Sequence, residues 1–311
     1  MDETDLRICG LLNTNSRIPF RDLAERLGIS VQAAHKRVKV LTDTGVLRHF
    51  TANISLKALN AVPAAISGHT KAASADEVAI GLGKNEFSAI VHVSGDFLSV
   101  MILLRSIGDL DNYVEFVKKE AQMEDISIFL PSTMGFTNLE RQNLPKEDLV
   151  LTRLDYRIIL SLHKDSRKEL VDIAKELGLS TRTVKRRLKR MTDAGVIEFT
   201  TEFDYGAQNG ISSLMIIDLK PGLDRGRFLG EVKNRLGPRT IFMGAYSNIP
   251  NGLFAFMWSA SMKECRETEA SLRGDPAIAA FKNLLIQNKH QFPTWRERLL
   301  EERAAEMPRR K

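Results

Sequence analysis

The sequence predicts an α+β protein in which one unit of about 150 residues occurs twice. Three observations predict this fold class: a gapless internal repeat, helical spacing of apolar residues at the start of each copy, and alternating strand-like and helix-like segments in the remainder. Residues 5–51 align on residues 155–201, and about 18 of these 47 positions are identical. The chain therefore contains two copies of one plan.

Each copy begins with three predicted helices. Apolar residues recur at helical spacing over residues 4–14 and 19–27. Gly28 then predicts a turn, and Ser30 predicts an N-cap that opens a third helix. The side of this third helix that we expect to be buried consists of Val31, Ala34, Val38 and Leu41. Residues 46–54 predict extended structure, which completes helix, short helix, turn, helix and strand pair.

This order of elements is the plan of a winged helix-turn-helix domain. The second copy repeats it and places its third helix at residues 180–192. Before the first acid, Asp193, this helix carries Arg182, Lys185, Arg186, Arg187, Lys189 and Arg190. Six cations on about three and a half turns cover more than one helix face, so several of them must point away from the core.

The remainder of each copy alternates between strands and helices. In the first copy, strands are predicted at residues 62–67, 89–93, 97–104 and 126–130, with helices at 74–82 and 110–117. This alternation is typical of a ferredoxin-like βαββαβ domain. We expect winged helices at 1–55 and 151–203, βαββαβ domains at 56–137 and 204–291, a linker at 138–150 and a helical tail at 292–311.

Composition narrows the classes of function. Apolar runs are far shorter than the 18 to 20 residues of a membrane span, and the acidic start does not predict a secretory signal, so we expect a cytoplasmic protein without membrane contact. Cys9 and Cys265 are too few for a disulfide framework or a zinc motif. Neither a cofactor nor a catalytic motif is predicted.

Charge is distributed unevenly between the two halves. Positions 1–150 carry 16 Lys and Arg against 19 Asp and Glu, whereas positions 151–311 carry 29 against 20. The second half therefore has a net charge of +9, against −3 for the first. A basic half predicts contact with a polyanion.

In a helix-turn-helix domain, residues near the start of the third helix reach base edges, and cations hold phosphates. The predicted DNA-binding residues are Ser30, Gln32, Ala33, His35, Lys36, Arg37 and Lys39 in the first copy, and Ser180, Arg182, Thr183, Lys185, Arg186, Arg187 and Lys189 in the second. Gln pairs with adenine, and Arg pairs with guanine. Arg37 and Arg187 recur in both copies and either contact phosphate or pair with the first helix. A helix charged only for solubility is the alternative for each single cation.

A common pattern runs through both copies. It consists of Asp5, Ile8, Leu12, Arg17, Leu23, Ala24, 27–30, Arg37, Leu41 and 45–47, and again of Asp155, Ile158, Leu162, Arg167, Ala174, 177–180, Val184, Arg187 and 195–197. This pattern resembles the Lrp/AsnC family of prokaryotic transcription regulators. The resemblance implies a regulator, archaeal by our expectation, that binds specific double-stranded DNA sequences and uses its βαββαβ domains for effector binding and oligomerisation. A tandem pseudo-dimer that assembles as a homodimer is the architecture expected.

The resemblance also places an amino-acid effector near a Gly-Asp-aromatic-Asp turn. This chain has Gly95, Asp96 and Phe97, followed by Leu98 in place of the second acid. The second copy departs entirely from the motif at residues 247–252. An ordinary hairpin turn is the alternative for this segment.

Two other functions remain open at this stage. Siroheme decarboxylases resemble the same two-domain plan and would use basic and His side chains in the sheet domains, for which the candidates are His69, His92, Arg105 and Arg239. A sensor of small molecules that acts through protein partners is the other alternative.

Overall fold

A computed structural model describes residues 1–132, 149–207 and 210–306 of the chain. Two compact units are present. One comprises residues 61–132 and 210–294, and the other comprises residues 2–60, 149–207 and 295–306. Each unit combines one domain from each copy, so that the two sheet domains lie together and the two winged helices lie together. Most of the expected linker at 138–150 lies outside the described residues.

The first copy has the predicted α+β order. Its winged helix consists of α1 (Glu3–Thr14), α2 (Phe20–Leu27), α3 (Val31–Asp43) and β1 (Leu47–Ile54). Its sheet domain consists of β2 (Val62–His69), α4 (Ala75–Leu82), β3 (Ser88–Ser94), β4 (Phe97–Leu104), α5 (Leu110–Ala121) and β5 (Ser127–Phe129).

The second copy follows the same order. Its winged helix consists of α6 (Arg153–Lys164), α7 (Leu170–Leu177), α8 (Thr181–Asp193) and β6 (Ile197–Phe203). Its sheet domain consists of β7 (Ile211–Leu219), α9 (Arg225–Leu236), β8 (Thr240–Ala245), β9 (Gly252–Ser259), α10 (Met262–Arg273) and β10 (Ile278–Ile286). Strand β11 (Asn288–Gln291) and helix α11 (Trp295–Ala305) follow. None of the helices in the described ranges is long and apolar enough to cross a membrane.

The expectation of a strand pair within each wing is wrong. β1 pairs antiparallel with β6, so the two-stranded sheet takes one strand from each copy. After Ile54 the chain turns, with the Leu59 N–H donating to the Ser55 carbonyl, and no second strand follows within the first winged helix. The backbone groups of β1 are satisfied instead by the strand of the other copy.

Buried serines join the two winged helices beside this sheet. Ser16 and Ser166 are fully buried, and their Oγ atoms are hydrogen-bonded at 2.6 Å. The Ser166 N–H donates to the Phe50 carbonyl at 2.8 Å, and the Ser16 N–H donates to the Phe199 carbonyl at 3.3 Å. Since the two serines are equivalent positions of the repeat, the contact is close to symmetric.

The arginines that follow these serines cross to the other copy. Arg17 Nη1 donates to the Lys168 carbonyl at 3.0 Å, and Arg167 Nη2 donates to the Ile18 carbonyl at 3.2 Å. The Arg167 guanidinium also lies 4.6 Å from the ring centroid of Phe20. Burial lowers the pKa of both guanidinium groups below the usual value for arginine, and the carbonyl contacts replace lost water.

The other unit contains two antiparallel sheets. The first has the order β11-β3-β4-β2-β5, and the second has the order β10-β7-β9-β8. Within each copy this is the ferredoxin-like βαββαβ arrangement that the sequence predicts. Strand β11 belongs to the second copy but pairs with β3 of the first, and Pro131 of the first copy bridges to Tyr246 of the second. Each copy thus contributes backbone to the other sheet.

A shared apolar layer reinforces this exchange of backbone. Its buried members come from both copies: Phe97 and Phe129 from the first, and Leu214, Tyr246, Phe254 and Leu284 from the second. Other clusters lie between each sheet and its own helices. The predicted pairing of the two sheet domains therefore occurs within a single chain.

One titratable group is buried in this unit. His92 is 6% exposed on β3, and its ring centroid lies 5.2 Å from that of Phe256 on β9. Burial, followed by the nearby charge of Lys289, lowers the pKa of His92 to about 3. The ring is therefore neutral in the folded protein at neutral pH.

A stability change at mildly acidic pH follows from this burial. The unfolded chain binds a proton at His92 near pH 6.5, but the folded chain does so only near pH 3, so stability is lost as pH falls through this window. We expect His92 to contribute a slope of up to about 1.4 kcal/mol per pH unit. Urea unfolding between pH 7 and 4 should show a shallower slope for His92→Phe than for the wild type. His49→Gln, at an exposed position, should keep the wild-type slope, and equal slopes for His92→Phe and wild type would contradict the assignment.

Candidate nucleic-acid interface

The third helices of the two winged helices, α3 and α8, present the same burial pattern. Their inner faces consist of Ala34, Val38 and Leu41 in α3 and of Val184, Leu188 and Met191 in α8. Val31, which we expected on the buried side, is 42% exposed. The buried stripe begins only at Ala34, since Val31 directly follows the N-cap and precedes the part of α3 that packs on its neighbours.

Most of the predicted DNA-contacting residues lie on the opposite, exposed face. Gln32, His35 and Lys36 are exposed in α3, and Arg182, Lys185 and Arg186 are exposed in α8. Within the described ranges, the side chains of Lys36, Arg182, Lys185 and Arg186 form no ion pair. Ala33 and Thr183 are half-buried. These unpaired cations require no internal salt bridge to be broken before they contact a phosphate.

Lys39 and Lys189 lie on the same face and each pair with an acid one turn later. Lys39 Nζ is 2.7 Å from Asp43, and Lys189 Nζ is 2.6 Å from Asp193. Both lysine side chains are more than 70% exposed, at 74% and 73%. Exposed pairs of this kind contribute only about 0.3–0.5 kcal/mol, so an approaching phosphate can displace the acid.

Arg37 and Arg187 pair with the first helix of their copy. Arg37 Nη1 is 2.8 Å from Asp2 and 2.7 Å from Asp5 at the start of α1. Arg187 Nη1 is 2.9 Å from Asp155 on α6. The sequence leaves two roles open for these arginines, contact with phosphate or pairing with the first helix, and these ion pairs favour the second role. Each arginine holds the third helix against the first.

Ser30 and Ser180 act locally as helix caps. The Ser30 Oγ accepts from the Ala33 N–H at 3.1 Å, and the Ser180 Oγ accepts from the Thr183 N–H at 3.2 Å. In both copies a glycine with φ near +66° ends the preceding helix. The turn and cap fix the direction in which the third helix leaves the second, and thereby aim its exposed face.

Asp155 anchors the second winged helix. Its side chain is fully buried and contacts Arg187 at 2.9 Å and Arg190 at 3.0 Å. Burial raises the pKa of this carboxyl, but hydrogen bonds from Thr152 and Arg187 lower it by more, so that the pKa lies below its usual range. Asp155 is therefore an anion at neutral pH.

Sequence reasoning missed several exposed residues of these helices. Val40 is 47% exposed, the side chain of Arg190 is 47% exposed, and Thr181 is exposed at the first position of α8. The repeat alone could have identified them, because positions 31, 40, 181 and 190 are not among the positions that are buried in both α3 and α8. An apolar residue in an amphipathic helix is nevertheless expected inside, which explains the omission of the valines.

The predicted effector residues form the turn between β3 and β4. Gly95 has a φ of +61°, and its N–H donates to Gln287 Oε1 at 2.9 Å. The Asp96 carboxylate is hydrogen-bonded to His69 Nδ1 at 3.0 Å, which lowers the pKa of Asp96. Phe97 is 8% exposed, and Lys282 Nζ lies 4.4 Å from its ring centroid. The Gly95 N–H and the Asp96 carboxylate are therefore already hydrogen-bonded to side chains of this protein.

The four His and Arg candidates for a tetrapyrrole site are not brought together. His69 ends β2, whereas Arg105 follows the far end of the eight-residue β4, about 25 Å away along the strand. His92 is buried against Phe256. Arg239 lies in the second copy, 2.8 Å from Glu264. Across the described ranges, no group of three or more His, Cys, Asp or Glu side chains could hold a metal ion.

Comparison with known proteins decides the family. A model described as winged helix-turn-helix DNA-binding matches residues 1–48 and 151–198. The HTH-type transcriptional regulator LrpA of Pyrococcus horikoshii is 33% identical over 111 residues, which cover 35% of this chain and 79% of LrpA. The chain belongs to the Lrp/AsnC family. A second relative, the HTH-type transcriptional regulator Ptr1 of Methanocaldococcus jannaschii, is 32% identical over 117 residues, which cover 37% of this chain and 79% of Ptr1.

One solved structure is similar over nearly the whole of this Lrp/AsnC chain. The crystal structure of the siroheme decarboxylase NirDL superposes with a TM-score of 0.60 and covers 97% of this chain and 98% of its own. Sequence identity is 16%, so the likeness is one of fold. It shows that the tandem plan of this Lrp/AsnC chain occurs elsewhere as a single polypeptide.

Removing the buried anchor of α8 should destabilise the winged-helix unit. Asp155→Ala leaves Arg187 without its acid, and we expect a loss of about 3 kcal/mol in the free energy of unfolding. Asp193→Ala removes an acid of the same helix that pairs only with an exposed lysine, and should change stability by less than about 0.5 kcal/mol. Urea unfolding followed by circular dichroism measures both, and equal effects of the two substitutions would refute the anchoring role.

Proposed function

We propose that this protein is a transcription regulator that binds double-stranded DNA, and that the exposed faces of α3 and α8 are its DNA-binding surfaces. The observation that carries the proposal is the pair of third helices with matching inner faces and outward side chains suited to bases and phosphates. The residues that we expect to contact DNA, at bases or at phosphates, are Gln32, Ala33, His35, Lys36, Lys39, Arg182, Thr183, Lys185, Arg186 and Lys189. Arg37, Arg187 and the caps Ser30 and Ser180 serve by orienting these helices.

The two winged helices act as one binding unit within one chain. The β1–β6 ladder and the Ser16–Ser166 contact join them directly. In dimeric helix-turn-helix proteins, two recognition helices meet successive major-groove segments of one duplex. We infer that here a single chain supplies both helices, so that DNA binding does not require a second chain.

The second winged helix provides most of the electrostatic affinity. Within α8, Arg182, Lys185 and Arg186 are exposed and unpaired in the described structure, whereas the matching positions of α3 carry a single cation, Lys36. Phosphate contacts release counterions and dominate binding that does not depend on sequence. The more basic helix is therefore the one that holds DNA at higher salt.

A small effector, such as an amino acid, is part of the proposal for the Gly95 turn alone. Its support is the retained Gly95, Asp96 and Phe97, and binding there must displace the contacts from Gln287 and His69. The second copy uses its turn differently, since Asn248 bonds to the backbone of Ile128. A homodimer through the βαββαβ domains, as the sequence predicts, would need a surface other than the apolar layer that already pairs the two sheets.

An enzyme of the siroheme decarboxylase type is the alternative, and its support is the likeness of fold over the whole chain. Separation of His69 from Arg105, together with the burial of His92, speaks against a shared tetrapyrrole site. Titration with an iron tetrapyrrole discriminates the two functions: saturable changes in visible absorbance support the enzyme, and their absence supports the regulator. Ligand binding without DNA binding would favour a sensor that acts through protein partners.

Removing the outward cations of α8 should weaken DNA binding and its dependence on salt. In the variant Arg182→Gln, Lys185→Gln, Arg186→Gln, Lys189→Gln, the slope of log K against log salt should become shallower by about one for each lost phosphate contact. Fluorescence anisotropy on random and self-promoter duplexes at several salt concentrations measures this slope.

A matched control removes four exposed lysines from the sheet domains: Lys84→Gln, Lys119→Gln, Lys220→Gln, Lys263→Gln. Both variants lose four positive charges, so a general effect of net charge would flatten the two slopes equally. Flattening confined to the α8 variant supports the assignment. Wild-type binding by the α8 variant, or no binding of any duplex by the wild type at low salt, would refute the proposed function.

A further inference from the structure

Equivalent positions of α3 and α8 fall into two classes. Positions that build the fold keep their chemistry in both copies: the N-cap serine, the inward arginine, the i,i+4 Lys–Asp pair and the buried apolar stripe. Exposed positions next to the N-terminus of each helix differ. The two copies therefore share the residues that pack and cap the third helix, and they differ in the residues that this helix exposes.

The exposed residues at the start of α8 are more basic than those at the start of α3. Near the N-terminus, the exposed residues of α3 are Val31, Gln32, His35 and Lys36, and their counterparts in α8 are Thr181, Arg182, Lys185 and Arg186. The first set consists of an apolar side chain that is 42% exposed, an amide, an imidazole and one cation. The second set has three cations, Arg182, Lys185 and Arg186.

Each set matches a different base composition. An exposed Gln pairs bidentately with adenine, and apolar side chains contact the methyl group of thymine. Arg pairs bidentately with the O6 and N7 atoms of guanine. Gln32 and Arg182 occupy equivalent positions in the first turn, which is the part of a recognition helix that reaches base edges.

His35 is held in place by a stack that the second copy lacks. Its ring centroid lies 3.5 Å from that of Phe20, and the guanidinium of Arg167, which belongs to the second copy, lies over Phe20. The equivalents of Phe20 and His35 are Leu170 and Lys185. A side chain with a fixed direction discriminates between bases better than a flexible lysine, which favours phosphate.

We propose that this chain recognises an asymmetric operator and binds it in one orientation. The inference rests on the proposed function. Under α3 lies a half-site with adenine and thymine, contacted by Gln32 and Val31, and under α8 lies a half-site with guanine, contacted by Arg182. Because β1 and β6 join the two helices, both half-sites belong to one duplex. A regulator of identical subunits reads a palindrome, whereas this pair reads two unlike halves.

Selection of binding sites from random duplexes by the full-length protein tests the proposal. The wild type should select two unlike half-sites at constant spacing, one with a common adenine and one with a common guanine. Gln32→Ala should relax the preference in the first half-site only, and Arg182→Ala should relax it in the second half-site only. Each substitution should lower affinity for the selected duplex by about 5- to 150-fold.

A face exchange provides the sharper test. The variant Thr181→Val, Arg182→Gln, Lys185→His, Arg186→Lys gives the start of α8 the exposed side chains of α3 and leaves unchanged the buried stripe, the cap and the contacts of Arg187 and Arg190 with Asp155. It should select a site whose two halves are both of the adenine type. Lys118→Gln and Lys119→Gln, exposed on α5, should leave the selected site unchanged. A thermal melt confirms that each variant is folded.

Three results would overturn the proposal: a palindrome selected by the wild type, loss of the same half-site in both single variants, or an unchanged site after the face exchange. Absence of any DNA binding by the wild type would instead refute the proposed function. The two failures are therefore distinguishable in one experiment.

Discussion

The antiparallel pairing of β1 with β6 is the constraint on which the arrangement of the winged helices depends. A single strand at the end of each winged helix leaves backbone donors and acceptors that need partners. The strand of the other copy supplies them, and the buried Ser16–Ser166 contact extends the junction. Arg17 and Arg167 then donate across it to carbonyls. Each winged helix therefore depends on the other for hydrogen-bond partners of its strand and of its buried serine and arginine.

The sheet unit follows the same principle by a different route. Strand β11 crosses to the edge of the first sheet, and Pro131 crosses to the second. Exposed strand edges are prone to pairing with other chains, and β11 covers the β3 edge of the first sheet from within the chain. Covalent linkage of the copies keeps the exchanged segments at high local concentration, which a pair of separate subunits achieves only by association.

Sequence periodicity was sufficient for the helices, for the order of strands in the sheet domains and for the inner faces of α3 and α8 from Ala34 onward. It failed where partners are distant in sequence. β1 reads as half of a local hairpin because its true partner lies about 150 residues away. Arg37 reads equally well as a phosphate contact, since only the fold brings it to Asp5. Val31 was assigned to the core from its apolar side chain, but it directly follows the N-cap Ser30 and precedes the part of α3 that packs on its neighbours.

We propose that one chain engages one duplex through both of its winged helices. Hydroxyl-radical footprinting on a selected duplex tests this proposal. The duplex is held at a concentration far above Kd, and protein is added stepwise so that the number of bound chains per duplex can be counted. We expect two protected patches on one face of the duplex, separated by about one helical turn or a multiple of it, both complete at one chain per duplex. Protection of a single patch per chain, with the second patch appearing only when another chain is added, would contradict it.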